Sequence, residues 1–443
     1  MSLSSILDRL ASRRVLPRRK KRLRPARFFV EALEQRALLT AYVVNSTNPG
    51  FGGDGANTLV EAIGLADADT GDSSPFVINF NIPTSDAGYS SETGAWTIQV
   101  LTLPEITHPV IIDGTTQATN QGQAYTKPLI DIDGSQAQSQ QFSGLEFLVG
   151  GNTVEGLIIN NFRNFGIVLD GSDDFVHGNG PGLNNIIQSN FIGTDATGRV
   201  AAPNAAGGID LVQSSYNLIG GPNNAGPLST GNLISGNGQT GIFLEDQSDH
   251  NNYIEGNYVG TDVDGLKALP APGGTGTDGI FLGPPGGSPQ QGFASNNFIG
   301  NFDPASQKFE PNGRNVIGGN TKNGVYVLGG SGNLIAGNYI GIGSDGSTPV
   351  GNGGDGVRLE DGSSNIVGGT QANAGNVISA NQQNGIDIVA DATSENFISM
   401  PVAKQAVVSN IVQGNDIGTD NDAFATHQGQ TPLGNGQEGM VLA

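Results

Sequence analysis

One tetrapeptide recurs along this chain: glycine, an aliphatic residue, any residue, then an apolar one. It occurs as Gly144-Leu145-Glu146-Phe147, Gly166-Ile167-Val168-Leu169 and Gly208-Ile209-Asp210-Leu211, and starts again at Gly241, Gly279, Gly324, Gly356, Gly385 and Gly439. The intervals are 22, 42, 33, 38, 45, 32, 29 and 54 residues. Between these units lie triplets of Asn, an apolar residue and Ile or Val, such as Asn217-Leu218-Ile219, Asn232-Leu233-Ile234, Asn333-Leu334-Ile335 and Asn376-Val377-Ile378. Each unit alternates with period two and reads as a short strand. Three such strands that return after as few as 22 residues describe one rung of a parallel β-helix. Longer intervals are rungs with loop insertions, placed at 196–207, 263–278, 283–295 and 343–355 where Gly, Pro, Ser and Asp cluster.

The competing folds fail on spacing. A propeller blade needs about four strands in roughly 40 residues. Barrel and doubly wound α/β folds need a helix between strands, and no interval carries a repeated amphipathic pattern. Nine tetrapeptides make eight steps, a rod of about 38 Å at about 4.8 Å per rung. Inward Ile, Leu and Val form its apolar column, and the repeated Asn are expected to stack at the corners as amide ladders.

Charge divides the chain. Residues 1–41 carry a net +8 and the remainder −29. A body so acidic repels polyanions, which excludes nucleic acid as its partner. Cysteine is absent, so disulfides and thiol chemistry are excluded. No stretch is long and apolar enough for a transmembrane helix. The basic block Arg18-Arg19-Lys20-Lys21-Arg22 precedes a broken apolar run, which reads as an export segment, with a nucleic-acid arm as the competing reading. This gives a segment 1–41 expected to be unstructured or a short helix, a capping region with the first rungs over 42–140, and the main rungs over 141–443.

Leu33-Glu34-Gln35-Arg36-Ala37-Leu38-Leu39 resembles the L-E-P-R-x-L-L sorting segment of planctomycete surface proteins, with Gln35 in place of proline. That resemblance implies export to the cell surface or medium and processing near Ala41. The body resembles right-handed, single-stranded parallel β-helix repeat proteins of the bacterial secreted, pectate-lyase-like kind, an all-β class. Thr58-Leu59-Val60-Glu61-Ala62-Ile63 is similar to their opening S-L-R-E-A-I segment, and the Gly-Thr-Asp runs ending at Asp195, Asp262 and Asp420 are similar to their loop entries. This resemblance implies architecture and not chemistry.

The third residue of each tetrapeptide points outward. That column reads Glu146, Val168, Asp210, Phe243, Phe281, Tyr326, Arg358, Asp387, Val441. Phe243, Phe281 and Tyr326 on successive rungs are candidates for a sugar-binding row, unless they stack on one another or a loop covers them. Arg358 and Asp387 read first as a salt bridge across adjacent rungs and second as a ligand clamp. Glu146 and Asp210, two rungs and about 9.6 Å apart along the backbone, are the best hydrolytic pair available, near the 6.5–9.5 Å of inverting glycosidases. Asp131-Ile132-Asp133-Gly134 and Asp262-Val263-Asp264-Gly265 resemble parts of calcium loops, although Asx-turns explain them without metal. Calcium is the one cofactor they leave open. Asp173-Asp174 with His177-Gly178 resembles two polygalacturonase elements, but the others do not follow in order.

The expectation is an exported surface or extracellular β-helix in a structural or adhesive role, contacting polysaccharide or another surface component. A polysaccharide lyase or glycoside hydrolase working in a lateral groove is the alternative. The final tetrapeptide starts a rung without finishing it, so its edge is expected to pair with a further segment or a partner.

Overall fold

The computed structural model describes residues 41–50, 57–69, 75–137, 142–172, 184–222, 229–273, 276–284, 292–303, 306, 308–390, 408–419 and 433–442. The sorting-like segment and the Asp173–His177 elements lie outside them.

The chain winds as a right-handed parallel β-helix. Among the described residues, three parallel sheets of eleven, ten and nine strands run its length. A typical rung places Ile186–Gln188 in sheet one, Phe191–Ile192 in sheet two and Gly207–Val212 in sheet three. The next rung follows with Leu218–Gly220, Leu233–Ile234 and Thr240–Leu244, paired in register beneath the first. Every tetrapeptide strand lies in sheet three, and its outward column is in register from Glu146 to Val441. The inward residues join one apolar core that extends from Val44 to Ile388.

The first strand, Ala41–Val44, pairs with Phe76–Phe80. Between them the helix Leu59–Ala68 begins with a capping box. Thr58 Oγ1 accepts from the Glu61 N–H, and the Thr58 N–H donates to Glu61 Oε2. This satisfies two of the helix's open donors, and the helix buries Leu59, Ile63 and Ala66 against the first rungs.

Asparagine ladders hold the corners. In the first, each Asn from Asn152 through Asn185, Asn217, Asn252, Asn297, Asn333 and Asn365 donates its backbone N–H to the side-chain oxygen of the Asn one rung on. Asn190, Asn232, Asn257, Asn315, Asn338, Asn376 and Asn415 form a second ladder. A third runs through Asn204 and Asn237, and again through Asn320, Asn352, Asn381 and Asn435. The third ladder was not foreseen, although Asn-x-x-x-Gly ahead of six tetrapeptides encodes it.

The tetrapeptide glycines serve a different purpose from left-handed backbone. A Cβ on Gly356 would lie 2.6 Å from the Gly385 carbonyl oxygen and 2.5 Å from the Ile378 side chain. Glycine is needed there for close approach between rungs. Positive φ is needed instead at the corner after sheet two, as at Gly260 (φ 85°), where a Cβ would also press on Asn320.

The Gly-Thr-Asp loops at Asp195 and Asp262, and the loop that follows Gly341, fold back over the outer face of sheet two. Thr194 bridges Ala201, Thr261 bridges Ala268 and Ile342 bridges Pro349. They stack on one another, since the Val263 N–H donates to Gly198 O and the Ser344 N–H to Gly265 O. Beneath them Ile158, Phe191, Leu233, Tyr258 and Val316 form a second apolar cluster outside the coil. That cover explains why strands such as Phe191–Ile192 are apolar on both faces. Among the described residues no helix is long and apolar enough to cross a membrane.

Candidate functional site

The outer face of sheet three gathers every residue singled out from its column. At its centre Phe243 stacks on Phe281 (5.2 Å between centroids, 11° between planes) and Phe281 on Tyr326 (5.0 Å, 23°). Phe165, on the outward column beside it, extends the row by stacking on Phe243 at 6.4 Å. Arg358 caps the far end, 5.9 Å from the Tyr326 centroid. The ring faces are therefore occupied by one another. What the row offers to solvent is a half-buried ridge of ring edges, about 4.8 Å apart along the axis.

Toward the C-terminal end, Arg358 donates from Nη1 to Asp387 Oδ2 (2.8 Å) and from Nε to Glu360 Oε2 (3.0 Å), with Asp355 Oδ2 at 3.6 Å. Tyr326 Oη donates to the same Glu360 oxygen at 2.8 Å. Burial, and then the neighbouring Glu360 charge, keep the Tyr326 hydroxyl protonated far above its ordinary range. Asp387 is lifted by burial and by Asp355, with Arg358 opposing. Asp355 and Glu360, three residues before and two after Arg358, were not foreseen as its partners. Their spacing along the strand was the available signal.

Toward the N-terminal end the face is acidic. Glu146 and Asp210 stand two rungs apart with Val168 between them. Asp170 and Glu245 lie on the adjoining outward column, two residues after Val168 and Phe243. Asp210 is 6% exposed, and its Oδ1 is buried without a hydrogen-bond partner. Burial first, then Glu245, Asp249, Asp170 and Glu146, raise the Asp210 carboxyl well above the usual range. Glu245 is pushed up to about 7 by burial and by Asp246 and Asp170, and Glu146 is raised by burial, Glu105 and Asp170. Asp246 and Asp249 serve the turn that follows, accepting from the Ser248 and Asp246 N–H groups at 2.7 and 2.8 Å. Asp210 is thus largely enclosed, two rungs from the half-buried Glu146.

The Asp-Gly pairs are engaged locally. Asp262 Oδ1 accepts from the Leu266 and Lys267 N–H groups, Asp264 is paired with Arg199, and Asp133 Oδ1 accepts from the Ser135 N–H. Asp131 accepts from Thr97 Oγ1 and Asn160 Nδ2. Among the described residues, no three acidic or histidine side chains converge to hold a metal ion.

A second aromatic group went unnoticed in the sequence. On the outer face of sheet one, Tyr253 stacks on Phe298 at 4.7 Å and 2°, and Phe298 on Phe302 at 5.4 Å. Tyr253 and Phe298 each follow a ladder Asn directly, the position that also holds Leu218, Leu334 and Ile366. On the last described strand, Met440 and Leu442 are 45% and 69% exposed.

No protein-family model matches the sequence, and no curated protein matches it. Among solved structures, the chain is similar to a variant of the periplasmic alginate epimerase AlgG, with 13% identity over 83% of this chain and 69% of that one, at a TM-score of 0.39. It is also similar to the A-module of the Azotobacter vinelandii mannuronan C-5 epimerase AlgE4 (12% identity, 89% of this chain and 97% of that one, TM-score 0.36) and to the Dettilon tailspike protein (12%, 86% and 64%, TM-score 0.28). None is similar enough to assign a role to any residue here.

Proposed function

We propose that this is an exported surface or extracellular β-helix that binds polysaccharide along the outer face of sheet three, in a structural or adhesive role. The observation that carries this reading is the composition of that face. An apolar ridge of Phe243, Phe281 and Tyr326 runs in register between the uncompensated carboxylates at one end and the Arg358 cluster at the other. A sugar chain presents both C–H groups and hydroxyls, and such a face supplies apolar edges flanked by polar partners. The side chains come from rigid, mutually bonded strands, so little ordering opposes binding.

The test is retention of the full chain on a panel of immobilised neutral, anionic and cationic polysaccharides. Phe281→Ala, which interrupts the ridge, is expected to lower retention while the fold persists. Failure to bind any member of the panel refutes the reading. The carboxyls at Glu146 and Asp210, both raised by burial and by neighbouring acids, favour a second reading, a lyase or hydrolase, because glycoside cleavage uses an acid lifted above the ordinary carboxylate range. Release of reducing ends or unsaturated uronides, lost in Glu146→Gln, would establish it.

A further inference from the structure

The acids of sheet three are spaced rather than clustered at a point. Glu146, Asp170, Asp210 and Glu245 stand on or at the end of four successive strands, one per rung, alternating between two outward columns. At about 4.8 Å per rung they make a track about 14 Å long. None of the four takes part in an ion pair among the described residues. Asp210, in the middle of the track, is more than nine-tenths buried with an oxygen that no donor reaches. Buried polar atoms without a partner are rare in native proteins, and this oxygen is left with its full capacity to accept.

We infer that the glycan bound by this face carries free amino groups, and that this carboxylate track receives their ammonium charges. The inference rests on reading the face as a polysaccharide surface. A polyuronate is disfavoured, because residues 42–443 carry a net −29 and the basic group of this face, Arg358, is already paired with Asp387 and Glu360. A neutral glycan brings hydroxyl donors but no positive charge to four carboxylates that lack a basic partner among the described residues. A metal ion needs ligands converging on one point, and among the described residues no three do. Cations tethered along a polymer, about one per sugar, suit carboxylates repeated one per rung. Burial and neighbouring acids push Glu245 up to about 7 and raise Asp210 well above the usual range, with Glu105, Glu146, Asp170, Asp246 and Asp249 as the acidic groups around them. An arriving ammonium favours their ionised forms, so binding displaces protons.

Calorimetry on the full chain at pH 7 tests this, with a β-linked glucosamine tetramer, its N-acetylated counterpart and an oligogalacturonate as ligands. The glucosamine tetramer is expected to bind at least tenfold more tightly than the other two, with a buffer-dependent heat that reports proton release. Asp210→Asn and Glu245→Gln are each expected to weaken it at least tenfold and remove the proton release, with melting temperature unchanged or higher. Equal or tighter binding of the acetylated or uronate ligand overturns the inference and leaves the polysaccharide surface standing. So does glucosamine binding that both variants leave intact. Calcium binding that is lost in Asp210→Asn, without glucosamine binding, overturns it in favour of a metal site. If no glycan binds and none is retained on the polysaccharide panel, the surface itself is refuted and the inference falls with it.

Discussion

Asn252 shows what a ladder residue is worth. It is fully buried, and its Oδ1 accepts from both the N–H and the Nδ2 of Asn217, at 3.0 and 2.9 Å. Its Nδ2 donates to Ser214 O and Asn297 Oδ1, each at 3.1 Å. Replacement by alanine removes four hydrogen bonds and leaves the Asn217 N–H without an acceptor. At about 1 kcal/mol per bond, and a further 1–3 kcal/mol for the orphaned donor, the cost is about 5–7 kcal/mol. Because each rung of a solenoid contacts mainly its neighbours, the loss is concentrated locally. Amide hydrogen exchange of Asn252→Ala should therefore accelerate at Asn217 and on the two adjoining rungs, well before distant rungs respond. Asn252→Asp keeps the acceptor but sets a carboxylate oxygen against Ser214 O and Asn297 Oδ1. Its carboxyl is held protonated in the folded chain, above its unfolded value of about 3.9. Stability of that variant is then greatest at low pH and falls as pH rises. If Asn252→Ala exchanges and melts like the parent, the ladders do not hold the corners and the reasoning fails.

Other perturbations test separate parts of the structure. Ala271 follows Leu269 by two residues, as Asn204 follows Ala202 and Asn352 follows Val350, and it interrupts the third ladder beside a small cleft lined by Asn237 and Asn320. Ala271→Asn should raise stability by about 1 kcal/mol in chemical denaturation, the net value of a hydrogen bond or two less the entropy of the ordered side chain. Phe281→Ala should cost about 2–3 kcal/mol, through lost apolar burial and two lost ring stacks. Burial, then Asp133, lift Asp131 to about 7, so the folded chain holds that proton more tightly than the unfolded chain does. Its contribution to stability is greatest below about pH 4 and is lost as pH rises toward 7. Asp131→Asn should flatten the decline in unfolding free energy between pH 4 and 7, by at most about 4 kcal/mol.

The winding of the chain was legible because a rung must repeat its inward residues, and the tetrapeptide does so at every turn. The same period placed Glu146, Asp210, Phe243, Phe281, Tyr326, Arg358 and Asp387 in one outward column, and their strand pairing follows that order. Side-chain direction was not legible. Nothing in the spacing tells whether three rings turn their faces to solvent or to each other, and stacking at 5 Å is the outcome their register permits. Pairing across columns was also hidden. Phe165 lies beside Phe243 because Gly207, its register partner, leaves room for a ring. The purpose of the tetrapeptide glycines was not legible, since clearance between rungs depends on residues of the next turn and not on local sequence.

The asparagine ladders have a consequence for how such a rod can change length. Each rung shows the next a donor at its corners and shows the previous one an acceptor, as plug and socket. A whole turn, inserted or removed with its Asn residues, finds the same bonds waiting above and below. Growth by duplication of complete turns therefore requires no new solution to folding, whereas a single residue added within a strand would put that rung's corners out of line with those above and below.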